Sequence, residues 1–140
     1  MRTYFFLALL LLSFSSNAQN LGKDQIVGSW IVAEAKISIK PDNPEMQKQI
    51  DAVKQGFTNA VFEFSASGNF TLIFPPNTAA FFKELYIPKN SKWIISEKNH
   101  TIKIGSKSDG YSLMQIEYGI VNNDVYFLID ESGILLKMTR

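Results

Sequence analysis

At 140 residues, 46% hydrophobic and 19% charged, the chain is long enough for one domain with its own core. The absence of cysteine excludes a disulfide-stapled scaffold and an anchor attached through a cleavage-site cysteine. A formal net charge of +1 with no block of like charge excludes the basic patch that nucleic acid or an anionic membrane surface would require.

Residues 1–18 have the composition of a cleaved secretory signal peptide. Arg2 supplies the positive start, Tyr4 to Leu12 a short apolar run, and Ser13 to Ala18 a small, polar end. The apolar run is shorter than the roughly 20 residues a membrane-spanning helix needs. Ser16-Asn17-Ala18 places small residues where a signal peptidase reads, so the mature chain is expected to begin at Gln19 and to occupy residues 19–140. Cleavage takes Arg2 with it and leaves 13 basic against 13 acidic residues. An exported chain without cysteine is expected in a bacterial envelope, periplasmic or extracellular, with no stable membrane anchor.

Gln19 to Gln25 reads as a polar lead-in. The first strand follows, from about Gly28 to Ile39, and Pro41 ends it. Gly28 has no Cβ, so another group can approach closely there. Trp30 is a large apolar body with one donor that needs a partner. If the later strands close into a barrel, Trp30 is placed to plug its closed end. Arg140, the last residue, is then placed to lie over the indole face, where a guanidinium stacks well.

Asn43-Pro44-Glu45 is a helix start, with Asn as N-cap and Pro at the first helical position. Met46, Ile50, Val53 and Phe57 share one face, and Gly56 sits near where a C-terminal cap is expected. From Asn59 the period changes to two. Phe62 and Phe64, the turn Ala66-Ser67-Gly68-Asn69, and then Phe70, Leu72 and Phe74 predict a hairpin with an aromatic even-numbered face. Pro75-Pro76 stops it. Thr78 to Tyr86 is irregular, with room for a turn or two of helix carrying Phe81, Phe82 and Tyr86.

Strands are expected at Lys92–Ile95, Thr101–Ile104, Leu113–Tyr118, Val125–Ile129 and Ile134–Thr139, the third of these broken at Gly119 and at Asn122-Asn123. Turn signals at such even spacing predict an all-β antiparallel meander, a sandwich or a barrel.

Gly28-Ser29-Trp30 opening the first strand resembles the G-x-W signature of lipocalins and their relatives. The order of a helix after strand one, the hairpin with Phe64 and Gly68, then Lys92-Trp93-Ile94-Ile95 and a meander ending in Leu135-Leu136-Lys137-Met138-Thr139-Arg140 is similar to small bacterial lipocalin-like domains. The resemblance implies an up-and-down barrel of about eight strands, with an arginine of the last strand over the tryptophan, a role that falls to Arg140. The chain departs from the family in ending at that strand, where lipocalins carry a further helix.

Chemistry is sparse. His100 is the only histidine and sits in a turn, so no zinc ligand set can be assembled. Glu63 and Glu117 are out of phase with their apolar neighbours and are expected on the outer face. There is no G-x-S-x-G elbow and no phosphate-binding glycine pattern. The chain therefore reads as a non-enzyme without a cofactor or metal. The aromatic face admits two readings, a packed core or a ring-lined cavity for a small hydrophobic molecule. On the second reading the lining residues are Phe62, Phe64, Leu72, Phe74 and Trp93. Phe81, Phe82 and Tyr86 then gate a mouth, because long connections in compact domains are often lids. The alternative is a filled envelope module acting through protein contacts. Oligomeric state and ligand identity are not legible.

Overall fold

The computed structural model describes residues 21–76, 87–130 and 132–140. The leader at residues 1–18, with its cleavage site, and Phe81, Phe82 and Tyr86 lie outside the described residues.

The described residues form a one-turn helix α1 (Lys23–Ile26), a helix α2 (Pro44–Phe57), a single 3-10 turn (Lys107–Asp109) and eight strands. The strands are β1 (Gly28–Ile37), β2 (Val61–Phe64), β3 (Phe70–Ile73), β4 (Lys92–Ser96), β5 (Thr101–Gly105), β6 (Met114–Val121), β7 (Asp124–Ile129) and β8 (Ile134–Thr139). One sheet holds them all in the order β3-β2-β1-β8-β7-β6-β5-β4, every pair antiparallel. β1 lies between β2 and β8, so the meander curls back on its own first strand. The two edges, β3 and β4, meet at the Asn69–Lys92 bridge, where the Phe70 amide donates to Ser91 O at 2.9 Å and the Trp93 amide to Gly68 O at 3.0 Å. The result is an up-and-down barrel, nearly closed, with α2 after the first strand.

Local chemistry explains most of the element ends. The Asn43 side chain accepts the Met46 amide at 2.8 Å, and Pro44 occupies the first turn, where its missing N–H costs nothing. Asn122 and Asn123 have φ of 52° and 68°, the left-handed pair that a two-residue hairpin between β6 and β7 demands. A bulge between Val32 and Glu34 lets β1 pair β2 along one half and β8 along the other.

Three local expectations are corrected. The polar lead-in contains α1, and it is held by distant residues rather than by its own propensity. Gly56 is a buried residue in the last turn of α2; the helix ends at Phe57 with Thr58 as its cap, and left-handed Asn59 (φ 69°) follows. β6 runs unbroken through Gly119, which pairs with Tyr126 of β7, because the ladder with β7 continues on both sides of the glycine, from Ile116 to Val121.

The even-numbered face of the β2–β3 hairpin points inward, as its alternation predicts. Phe62 pairs Leu72 and Phe64 pairs Phe70, and Phe62, Phe64 and Phe70 are fully buried. A second interior feature crosses the other strands. Ile95, Ile102, Ile116, Ile129, Ile134 and Ile37 stand opposite one another in successive ladders, forming one inward row across six strands. Ile102 and Ile116, in the middle of the row, are sealed in the core, whereas Ile95 at one end and Ile129, Ile134 and Ile37 toward the other are half-buried.

Candidate ligand-binding site

One end of the barrel is sealed. Gly28 has a φ of 127°, accessible in practice only to glycine, and a Cβ there would stand 2.9 Å from Arg140 Nη1. That close approach lets the Arg140 guanidinium lie 4.2 Å from the Trp30 ring centroid while it donates to Val27 O at 3.1 Å. Beneath it the buried indole N–H of Trp30 donates to Ile26 O at 2.8 Å. The arrangement expected of Gly28, Trp30 and Arg140 is therefore present.

The segment before β1 completes the seal. Tyr118 Oη donates to Leu21 O at 2.9 Å, and the Glu97 carboxylate accepts the Lys23 amide at 3.2 Å. The Lys23 ammonium sits 5.7 Å from the Trp93 ring centroid, and Ile26 is fully buried. Burial, and secondarily the charge of Glu97, pushes the Tyr118 phenol above the ordinary tyrosine range.

Inside this end the rings pack on one another. Phe64 lies 5.2 Å from both Phe70 and Trp93, and Phe127 of β7 lies 5.9 Å from Trp30, 5.9 Å from Phe62 and 6.0 Å from Phe64. These are tilted and edge-to-face distances of a packed aromatic core. The Trp93 indole N–H donates to Ser65 O at 3.0 Å, so its polar edge is satisfied. Of the residues expected to line a cavity, Phe62, Phe64 and Trp93 are thus brought together with ring against ring. Leu72 and Phe74 lie farther along the hairpin and are only half-buried, with Phe74 edge-on to Phe57 of α2 at 5.6 Å. Phe127, the hub of the cluster, has no aromatic ladder on its own strand to announce it. Only the β7 register brings it to Phe62.

Among the described residues no comparable seal stands at the other end of β1 and β8. There α2 leans on β1 and leaves a groove of about 200 Å³ lined by Ile37, Ile39, Met46, Ile50, Val53 and Ile134, with Gln49 and Ser132 as its polar members. Ile39 is 47% exposed at its rim. Aliphatic positions of α2 meet the end of the isoleucine row here. The helix face of Met46, Ile50 and Val53 was legible from spacing; its meeting with Ile37 and Ile134 depends on where α2 docks.

Glu63 and Glu117 alternate with buried neighbours and face outward. His100 is an exposed turn residue with a φ of 52°, edge-on to Tyr118 at 5.7 Å. Asp109 accepts the Ser106 amide at 3.0 Å and the Ser112 amide at 3.1 Å, which holds its carboxyl below the usual range and shapes the β5–β6 loop. Among the described residues no group of three His, Asp or Glu is placed to hold a metal ion, and no helix is long and apolar enough to cross a membrane.

Comparison of the chain with protein-family models, with curated proteins and with solved structures finds no match.

Proposed function

We propose that this chain is an exported, lipocalin-like binding protein that holds a small hydrophobic molecule, without catalysis, in the groove where α2 meets the far end of β1 and β8. The observation that carries the reading is the contrast between the two ends. At one, Trp30, Arg140 and the preceding segment close over a packed aromatic floor. At the other, inward-facing isoleucines remain half-exposed in an apolar groove under α2. Burying apolar surface of a guest there gains about 25 cal/mol per Å², and Met46 can adapt its shape to different guests. The site supported is shifted from the hairpin ladder to the groove, and Phe62, Phe64 and Trp93 belong to the packed core at the sealed end. Export is supported by the composition of residues 1–18, and the lipocalin likeness by Gly28-Ser29-Trp30 with Arg140 stacked on it.

The test is fluorescence of N-phenyl-1-naphthylamine with the mature protein. Saturable enhancement at micromolar concentration is expected, weakened at least fivefold in the rim variants Ile39→Asp and Met46→Asp. No enhancement, or enhancement indifferent to both variants, refutes the reading.

A second reading has one observation in its favour. Ile31, Val61 and Ile73 stand opposite one another on the outer face of β1, β2 and β3, with Ile31 and Ile73 exposed. A module acting through this face would bind a protein rather than a small molecule.

A further inference from the structure

The groove says more about its guest than that it is apolar. Its described lining consists of aliphatic side chains and two polar ones, none of them charged. The hydrogen-bonding capacity of those two differs. Ser132 Oγ donates to Ile129 O at 2.7 Å and accepts the Ile134 amide at 3.1 Å, so its only proton is committed to the β7–β8 turn. The exposed Gln49 side chain makes no hydrogen bond to the described residues and keeps both its carbonyl oxygen and its amide protons available.

We infer that the guest is a short, uncharged aliphatic molecule with a single hydrogen-bonding head, of the alcohol, ester or amide class, whose head meets the Gln49 carboxamide. This rests on the apolar-binding reading above and specifies the chemistry of the same site. Size is the first argument: about 200 Å³ is below the range of roughly 300–1,000 Å³ typical of pockets for drug-sized ligands. A short chain fits whole. Charge is the second. A carboxylate or ammonium drawn against Ile37, Ile134 and Met46 loses hydration with no opposite charge among the lining residues to compensate. A neutral head loses less, and a carboxamide can either donate to it or accept from it.

The experiment is displacement of N-phenyl-1-naphthylamine by 1-octanol, octanoate and octylamine at neutral pH. On the native protein 1-octanol is expected to displace the dye at a concentration at least tenfold below that of either charged competitor. Gln49→Leu raises the 1-octanol concentration required by three- to tenfold, about the loss of one neutral hydrogen bond. Gln49→Lys brings octanoate level with or ahead of 1-octanol, a reversal that loss of folding does not produce. Octanoate competing as well as 1-octanol on the native protein, or Gln49→Leu leaving 1-octanol unchanged, overturns this inference while leaving apolar binding intact. Failure of the dye itself to bind overturns both.

Discussion

Replacing Trp30 by alanine removes the centrepiece of the sealed end. A buried tryptophan withdraws about 150–250 Å² from water. At about 25 cal/mol per Å² this corresponds to about 4–6 kcal/mol, an upper bound because the unfolded chain already hides part of that surface. Truncations of buried aromatic residues cost about 3–5 kcal/mol once the cavity is included. Trp30 is 4% exposed, packed on Phe127 at 5.9 Å, and donates to Ile26 O, so it belongs at the upper end of that range. Two companion variants separate the contributions. Trp30→Phe keeps a ring against Phe127 but leaves Ile26 O without its donor, for about 1–3 kcal/mol. Arg140→Ala removes an exposed cation–π contact, for about 0.5–1 kcal/mol, together with a partly solvated hydrogen bond. The assay is urea unfolding followed by far-ultraviolet circular dichroism, which does not depend on tryptophan emission. The order expected is Trp30→Ala far below Trp30→Phe, and both below Arg140→Ala. A Trp30→Ala protein within about 1 kcal/mol of native would refute the reasoning, since buried aromatic truncation costs several times that.

The remaining predictions concern the sealed end, its core and α2. Gly28→Ala is expected to cost about 1–3 kcal/mol from its left-handed backbone, and Arg140→Ala in the same chain should recover only the steric part, read from paired melting curves. Phe127→Ala, at the hub of the ring cluster, should cost about 3–5 kcal/mol in denaturant titration; a cost under about 1 kcal/mol would mean the core is not organised around it. Tyr118 has a raised folded-state pKa, so the unfolded chain loses that proton first as pH rises. Its contribution is complete below the unfolded value of about 10 and declines as pH rises through the folded value. Denaturation series at successive alkaline pH values should show a shallower decline for Tyr118→Phe than for native protein. Asn43→Ala should cost about 0.5–2 kcal/mol through loss of the helix cap, visible as a lower midpoint with unchanged slope.

The meander was legible because its signals are local. Alternation over Phe62–Phe64 and Phe70–Phe74, turn residues at Gly68, Asn122-Asn123 and Gly133, and the Asn43-Pro44 start act within a few residues of where they stand. The sealed end was legible for another reason: Gly28, Trp30 and Arg140 have few other uses in that pattern. What was not legible depends on partners far along the chain. Helix α1 is one turn, below the length at which propensity alone sustains a helix, and it is set by Glu97 and by the Trp30 indole. The packing of the aromatic face rests on Phe127, whose depth follows from the register of β6, β7 and β8. The isoleucine row is six single residues on six strands, visible only after pairing is known. The groove exists because α2 docks beside Ile37 and Ile134, and no local pattern encodes that meeting.

Isoleucine-methyl NMR during titration with N-phenyl-1-naphthylamine tests the central claim most directly, because it locates the guest as well as detecting it. The account predicts that the largest shifts fall on the methyls of Ile37, Ile39, Ile50 and Ile134, which line the groove, while those of Ile26 at the sealed end stay in place. Shifts concentrated instead on Ile31 and Ile73 of the outer face, or no shifts at saturating dye, would contradict it.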